Sequence, residues 1–539
     1  MGIIKAKAGY LMILVIILLL AVTPIMSGCG EEEVNDEPTA TPAAGFELSG
    51  TIDEAGSTSV QPLAELMAAE FTDLHPKVKV NISGGGSSSG VKACAAGTVD
   101  LGAASRDIKI TEQDLIPYSI ARDAVAIAVH TSNPVSELTV DQVADIYEGA
   151  ITNWSEVGGN NEDIVVVSRE EGSGTRDCFE HGVTKNIKDD ALFYDSNGAV
   201  KTKVSSESKA IGFLSLGYVE GLKTITLDGV DPTPENCASG KYPVLRRLYV
   251  LTVAEAEDEV AAFINFCRSD EGQAIAEAEG YIPLNKLSMT YVPPTGKADV
   301  IAGTIDEAGS TSVQPLAELM AAEFMSMYPA VKINISGGGS SSGVKACAAG
   351  TVDLGAASRD IKITEQDLIP HCIARDAVAI AVHPSNPVSE LTIDQVAGIY
   401  EGTITNWSEV GGNNEDIVVV SREEGSGTRD CFEHGVTKNI KDDALFYDSN
   451  GAVKTKVSSE SKAIGFLSLG YVEGLKTITL DGVDPTPETC ASGEYPVLRR
   501  LYLLTTEVPT DAVRAFLEFC RSEEGQVIAE SEGYITLNL

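Results

Sequence analysis

The sequence predicts two tandem α/β modules with mixed sheets, and three observations carry that prediction. Residues 50–62 return as 303–315, Ser57 recurs as Ser310 and Cys267 as Cys520, always 253 residues on, with no insertion or deletion between the halves. That period is far longer than the roughly 20–50 residues of a solenoid unit, so each copy is long enough to bury a core of its own. Within each copy, period-two and helical apolar patterns alternate along the chain, which is the mark of α/β architecture.

The elements of one module follow in order. Leu63, Leu66, Met67 and Phe71 fall at helical spacing behind Pro62, a residue suited to a first helical turn. Residues 78–82 alternate apolar and polar side chains as a half-buried strand does, and 123–129 read as a more buried strand. Thr139 offers an N-cap to a helix continuing to Tyr147. Further strands are expected over 164–168, 211–216 and 245–252, and helices over 255–268 and 271–279 close the module.

The ends of the chain read as address and tether. Lys5 and Lys7 precede an apolar run over 10–22, and Met26-Ser27-Gly28 leads to Cys29. The run is short for a bilayer span, and the small residues before a cysteine resemble a lipoprotein signal over 1–29, with Cys29 lipidated. The rival reading is an uncleaved membrane anchor. Both put the modules outside the cytoplasm, held at the outer face of the cell membrane. Residues 30–46 form an acidic Thr/Pro linker with little to bury, and 288–299, with Pro293 and Pro294, form a stiffer one. The modules then occupy 47–287 and 300–539.

Composition narrows the partners. The net charge of −40, from 79 acidic and 39 basic residues, excludes a nucleic-acid partner of the usual kind, which needs a basic face. It also sets the overall field against anions, so an anion site here would rest on short-range hydrogen bonds. Cys94, Cys178, Cys237 and Cys267 repeat as Cys347, Cys431, Cys490 and Cys520. In an exported chain four such cysteines lead one to expect disulfides within each module, with the pairing open. Cys372, standing where the first half has Ser119, is expected to be a free thiol. No cysteine pair has zinc-site spacing, so no metal or cofactor is expected.

Three segments share one physical device. Gly56 to Ser59 precede the first helix, the Gly/Ser run over 84–90 lies between a strand and a helical pattern, and Gly172 to Thr175 do the same after the strand of 164–168. Glycines let backbone approach a ligand, hydroxyls add donors, and a helix N-terminus presents unpaired N–H groups. Three such starts in one module point to a small tetrahedral anion. Arg169, four residues before Ser173, supplies a fork-shaped cation for an oxyanion, with Glu171 placed to orient it.

These segments, together with residues 100–106, 151–154, 169–175, 210–218 and 242–246, resemble the phosphate-binding protein of the phosphate ABC transporter. The resemblance implies a two-lobed periplasmic-binding-protein fold of type II, repeated twice. The anion would lie between lobes that close on a hinge, with strands 123–129 and 245–252 as the crossovers. Carried over by motif, phosphate is held by Thr58, Ser59, Ser87, Arg169, Ser173, Gly174 and Thr175, and in the second module by Thr311, Ser312, Ser340, Arg422, Ser426, Gly427 and Thr428. The family position that carries a proton-accepting carboxylate is Ser105 here, and Ser358 in the second module, which leaves Asp107 and Asp360 as the nearby acceptors. The implied partners are inorganic phosphate and the permease subunits of an ABC transporter, with no cofactor. The alternative is a receptor for another tetrahedral oxyanion such as sulfate, molybdate or tungstate. An enzyme would need a metal cluster or a nucleophile with its base, which the six scattered histidines do not suggest, and Gly90-Val91-Lys92 fails the adjacent Gly-Lys of a P-loop.

Overall fold

The computed structural model describes residues 48–284, 301–509 and 511–537. The signal segment with Cys29, the 30–46 tether and the 288–299 linker lie outside the described residues. Among the described residues no helix is long and apolar enough to cross a membrane.

The first module runs β1 (Gly50–Gly56), α1 (Gln61–Leu74), β2 (Val78–Gly84), α2 (Ser87–Ala95), β3 (Leu101–Ala104), β4 (Ile116–Val129), β5 (Glu137–Leu138) and α3 (Val140–Glu148). It continues β6 (Val165–Arg169), α4 (Gly174–Gly182), β7 (Leu192–Tyr194), α5 (Asn197–Ser206), β8 (Ala210–Ser215), β9 (Lys223–Thr224), β10 (Thr226–Leu227), α6 (Pro234–Ala238), β11 (Leu245–Thr252), α7 (Asp258–Arg268) and α8 (Asp270–Ala278). The second module repeats this series from Gly303–Gly309 to Glu523–Ser531.

One strand makes the module two-lobed. β4 runs antiparallel to β11 through its first half and antiparallel to β8 and β9 through its second. The strand order is β2-β1-β3-β11-β4-β8-β6-β7, so β4 is the last strand of one curled sheet and the first of the next. β1 pairs in parallel with β2 and β3, and β6 in parallel with β7 and β8, which makes both sheets mixed. Thirteen of the fourteen residues of β4 are fully buried to within a few per cent, and such a strand reads as a mostly continuous apolar run rather than an alternation.

Each lobe has its own core. Ile52, Leu63, Met67, Phe71, Leu101 and Phe263 pack in the first, with Phe71 edge-on to Phe263 at 5.3 Å. Tyr147, Trp154, Phe179 and Phe213 pack in the second, with Phe179 stacked on Phe213 at 4.1 Å. A buried aromatic of this kind is worth about 2 kcal/mol or more in transfer from water, so each lobe is held largely by its own side chains.

Three local expectations need correction. α2 begins at Ser87 rather than after the Gly/Ser run, because Gly86, at φ 87°, turns the chain from β2 directly into the helix. α7 begins at Asp258, not at 255: the left-handed φ of 47° at Asp258 marks the entry turn, and Glu255 and Ala256 before it are buried in extended chain. The expected disulfides are not formed, and all nine described cysteines are free thiols. Packing separates all but one pair in the module: Cys267 lies in the first lobe's core and Cys94 in a separate cluster where its thiol donates to Leu251 O at 3.2 Å, while Cys237 and Cys178 share the second lobe's core, where the Cys178 thiol donates to Leu245 O at 3.6 Å. Burial pushes the Cys94 thiol up to about 11, so it stays protonated and unreactive.

Candidate functional site

The edge where the two lobes meet collects the ends of three helices. α1 follows Ser57–Val60, α2 starts at Ser87, and α4 starts at Gly174 with Ser173 as its N-cap, accepting from Arg176 N at 3.3 Å. β3 delivers Ser105 to the same place. Each of these helices leaves N–H groups unpaired at its start, so the cleft floor carries partial positive charge from three dipoles.

Hydroxyls tie the loops together. Ser57 Oγ donates to Ser105 Oγ at 3.0 Å, Ser87 Oγ lies 3.2 Å from Ser105 Oγ, and Ser105 N donates to Ser87 Oγ at 3.0 Å. Across the cleft Ser59 Oγ lies 3.2 Å from Thr175 Oγ1, and Asn197 Nδ2 donates to Ser59 Oγ at 2.8 Å. Ser88 N donates to Gly172 O at 3.1 Å, a backbone contact from one lobe to the other. Gly174 is required by close approach rather than by its backbone angle: a Cβ there would sit 2.4 Å from Ser87 Oγ and 2.5 Å from Ser105 Oγ.

Arg169 closes one wall. β6 places it 2% exposed, and the carbonyls of Tyr194 and Asp195 accept from Nε and Nη2 at 3.1 and 2.7 Å. Its Nη1 reaches Thr175 Oγ1 at 3.3 Å, and its Nη2 reaches Thr58 Oγ1 at 3.5 Å. Main-chain carbonyls therefore aim this guanidinium. Glu171, expected to orient it, is exposed, since it lies beyond the strand end in the turn before α4.

A second arginine was not singled out from the sequence. Arg246 of β11 donates from Nη1 to Ser105 Oγ at 3.1 Å and Thr175 Oγ1 at 3.0 Å, and from Nη2 to Ser59 Oγ at 2.9 Å. Its counterion is Asp123, directly opposite on β4, whose Oδ2 accepts from Nε at 3.0 Å and Nη2 at 2.6 Å while Oδ1 accepts from Leu216 N at 3.1 Å. The signal was present as two adjacent charged residues in each of two mostly apolar strands, Arg122-Asp123 in β4 and Arg246-Arg247 in β11. Such groups enter a sheet interior only when paired.

The electrostatics follow from this count. Two buried guanidinium groups converge on the cluster and one carboxylate answers them. Burial first, and the Arg246 charge second, pull Arg169 down to about 10, which leaves it charged at neutral pH beside a like charge. An anion between them would relieve both effects.

Asp107 is not brought into the cluster. Its carboxylate accepts from Tyr249 Oη at 2.7 Å and lines a cavity between the two modules with Arg247, Asp360 and Tyr502. Ser105 follows the last residue of β3 and faces the cleft, whereas the chain beyond it leaves the strand and turns toward the other module. Asp360 has the same place, accepting from Tyr502 Oη at 2.6 Å. Ser105, Ser87, Ser59, Thr58, Arg169, Gly174 and Thr175 do meet, and Ser173 stands at the cleft as a helix cap.

The second module reproduces the arrangement. Arg499 donates to Ser358 Oγ at 3.1 Å, Thr428 Oγ1 at 3.0 Å and Ser312 Oγ at 3.0 Å, with Asp376 Oδ2 at 2.6 Å. Arg422 reaches Thr428 Oγ1 and Thr311 Oγ1 at 3.2 and 3.4 Å, and burial followed by the Arg499 charge pulls it down to about 10. Ser340 Oγ lies 3.2 Å from Ser358 Oγ, and Gly427 packs on both. A cleft of about 340 Å³ opens beside Arg422, lined by Thr311, Gly339, Ser341 and Ser426.

Comparison with known proteins places both halves of the chain in one family. The PBP superfamily domain matches twice, over residues 41–271 and 296–524. One module's length of the chain is 34% identical over 262 residues to phosphate-binding protein PstS 2 of Streptococcus agalactiae, covering 46% of this chain and 87% of that protein. It is 30% identical over 244 residues to phosphate-binding protein PstS of Bacillus subtilis, covering 43% and 81%. Among solved structures it is similar to a putative phosphate ABC transporter substrate-binding protein with bound phosphate from Clostridium perfringens, 39% identical with a TM-score of 0.43, covering 44% of this chain and all of that one.

Proposed function

We propose that this chain, which belongs to the PBP superfamily in both halves and to the PstS phosphate-binding family within it, captures inorganic phosphate in each module and delivers it to an ABC permease. It is a receptor rather than an enzyme, with two sites per chain. The observation that carries this reading is the unbalanced charge of the closed cleft: Arg169 and Arg246 meet one carboxylate, Asp123, among hydroxyls and three helix starts. A dianion answers that net single positive charge together with the partial positive ends of the three helices, through short charge-assisted hydrogen bonds that prevail over the −40 field because they act at contact distance.

The binding set is Thr58, Ser59, Ser87, Ser105, Arg169, Ser173, Gly174 and Thr175, with Arg246 added as floor and Asp123 as its orienting partner; the second module uses the residues 253 further on. Both oxygens of Asp123 are already engaged, so the proton of hydrogen phosphate is accepted by a serine hydroxyl of the Ser57, Ser87 and Ser105 cluster. A hydroxyl both donates and accepts, which suits a ligand that carries one proton. Cys29 anchors the chain to the outer face of the membrane beside the permease, and a Cys29→Ser chain released from the membrane fraction would support that.

Calorimetric titration with phosphate and then sulfate tests the function. Two phosphates per chain with weak sulfate binding are expected. Equal binding of sulfate would sink the phosphate assignment and leave a general oxyanion receptor.

A further inference from the structure

The two modules meet along a seam whose main contacts come in pairs, each repeated 253 residues away with the roles of the modules exchanged. Arg247 of the first module donates through Nε to the Asp367 carboxylate, through Nη1 to Ile361 O at 2.6 Å and through Nη2 to Lys362 O at 2.6 Å. Arg500 of the second donates through Nε to Asp114 Oδ1 at 2.6 Å, through Nη1 to Ile108 O at 2.8 Å and through Nη2 to Lys109 O at 2.7 Å. Every nitrogen of each guanidinium is used. Both aspartates are fully buried, and each clamp arginine is a counterion shared with a second one, Arg122 at 3.8 Å from Asp367 and Arg375 at 3.6 Å from Asp114.

What these arginines hold is the loop that leaves the anion site. Ser105 lies in the cluster, and the chain then passes through Arg106, Ile108 and Lys109. Arg106 binds Glu112 at 2.7 Å and Ser88 Oγ at 3.0 Å, which ties the loop to the start of α2. Lys109 Nζ faces Asp177 of α4 at 3.5 Å across the cleft, and Lys362 faces Asp430 at 2.9 Å in the second module. The loop thus touches the site at Ser105, the Gly/Ser run at Ser88 and the opposite lobe at Asp177.

The clamp arginine is also chain neighbour to the site arginine. Successive residues of a strand point to opposite faces. Arg499 therefore enters the second module's cleft while Arg500 crosses to the first module's loop, and Arg246 and Arg247 do the reverse.

We propose that Arg247 and Arg500 are positioning residues exchanged between the modules, each holding the other module's site loop in the shape that binds the anion. A loop already held costs less ordering when phosphate enters, and a strand fixed by phosphate at Arg499 holds Arg500 more firmly. The two sites are therefore linked, and linkage in binding is reciprocal. This rests on phosphate occupying both clefts.

The test uses the full chain. One site is silenced by Arg422→Ala or by Arg169→Ala, and the other is titrated with inorganic phosphate by calorimetry, with and without Arg500→Gln. Arg500→Gln is expected to weaken the first module's site roughly tenfold and to leave the second module's own site within about twofold, and Arg247→Gln to do the opposite. General loss of stability cannot produce that crossed pattern. Arg500→Lys keeps a cation for Asp114 but cannot reach both carbonyls, so it should weaken the first site by an intermediate factor and decides the matter if the glutamine variant does not fold. Loss confined to the mutated arginine's own module, or no loss in either, would overturn the clamp alone. Absence of phosphate binding by the unaltered chain would overturn the proposed function and the clamp with it.

Discussion

The two modules differ in the wrong place for two independently specialised receptors. From Ile151 to Glu235 the first module is identical to the second from Ile404 to Glu488, and 81–117 is identical to 334–370, so the cleft-lining loops of both lobes are unchanged. Some differences fall at the end of α1, where Thr-Asp-Leu-His over 72–75 stands against Met-Ser-Met-Tyr over 325–328, and others fall at the seam. Tyr118 corresponds to His371, Glu255 to Val508 and Ala261 to Arg514. There the changes are complementary: His371 Nδ1 binds Glu255 Oε1 at 2.8 Å, fully buried, and Arg514 binds Glu257 at 2.7 Å. Val508 and Ile369 of the second module pack into the first module's core. The difference teaches that the backbone seam is two-fold while its side chains are not. Each module fits the other better than a copy of itself, because two first modules would lack Arg514 and two second modules would bury His371 without Glu255.

The largest test of that contrast lies in the shared part. Arg246→Ala should weaken phosphate binding in the first module roughly 100-fold or more and cost about 3–5 kcal/mol of stability, because Asp123 is left buried and uncompensated. Calorimetry would then count one phosphate per chain, and Arg499→Ala should give the same result from the other side. Unequal effects would break the equivalence of the sites.

At the seam the modules should part company. His371→Ala removes the partner of a buried carboxylate whose Oε2 already lacks one, and should cost about 3 kcal/mol by urea unfolding. Tyr118→Phe removes only a hydroxyl that accepts from Ala256 N at 3.4 Å and should cost about 1 kcal/mol. Equal costs would mean that the seam is energetically symmetric.

A shared oddity gives a pH test. Glu54 and Glu307 are buried with no hydrogen-bond partner for either oxygen among the described residues, and burial, then the charge of Glu65 or Glu318, raises each from 4.5 to about 8. The folded state holds extra protons between those values. This contribution to stability is full below about pH 4.5 and is lost as the pH rises to about 8. Leucine at both positions should flatten that fall and raise stability at pH 9 by about 2 kcal/mol or more. The smallest effect is expected at exposed Glu171, where alanine should change phosphate affinity by less than about twofold.

The sequence alone determined what is local. The 253-residue repeat, the three Gly/Ser helix starts, the Thr139 cap and Arg169 in its motif are all read from neighbours in the chain; the Thr139 cap forms as expected, and one of the helix starts moves only to Ser87, inside its Gly/Ser run. Only the tertiary structure decided what depends on strand register. Arg246 and Asp123 are 123 residues apart and meet because β11 lies antiparallel to β4 in one register, which no local pattern specifies. Asp107 follows Ser105 by two residues, yet the turn after β3 carries it out of the cleft and onto the seam. Four cysteines recur in each module, as a disulfide framework would require, yet all nine described cysteines are free thiols. A side chain's neighbours along the chain follow from sequence spacing, whereas its neighbours across a sheet or seam follow from pairings whose loop-closure entropy only the assembled core can offset.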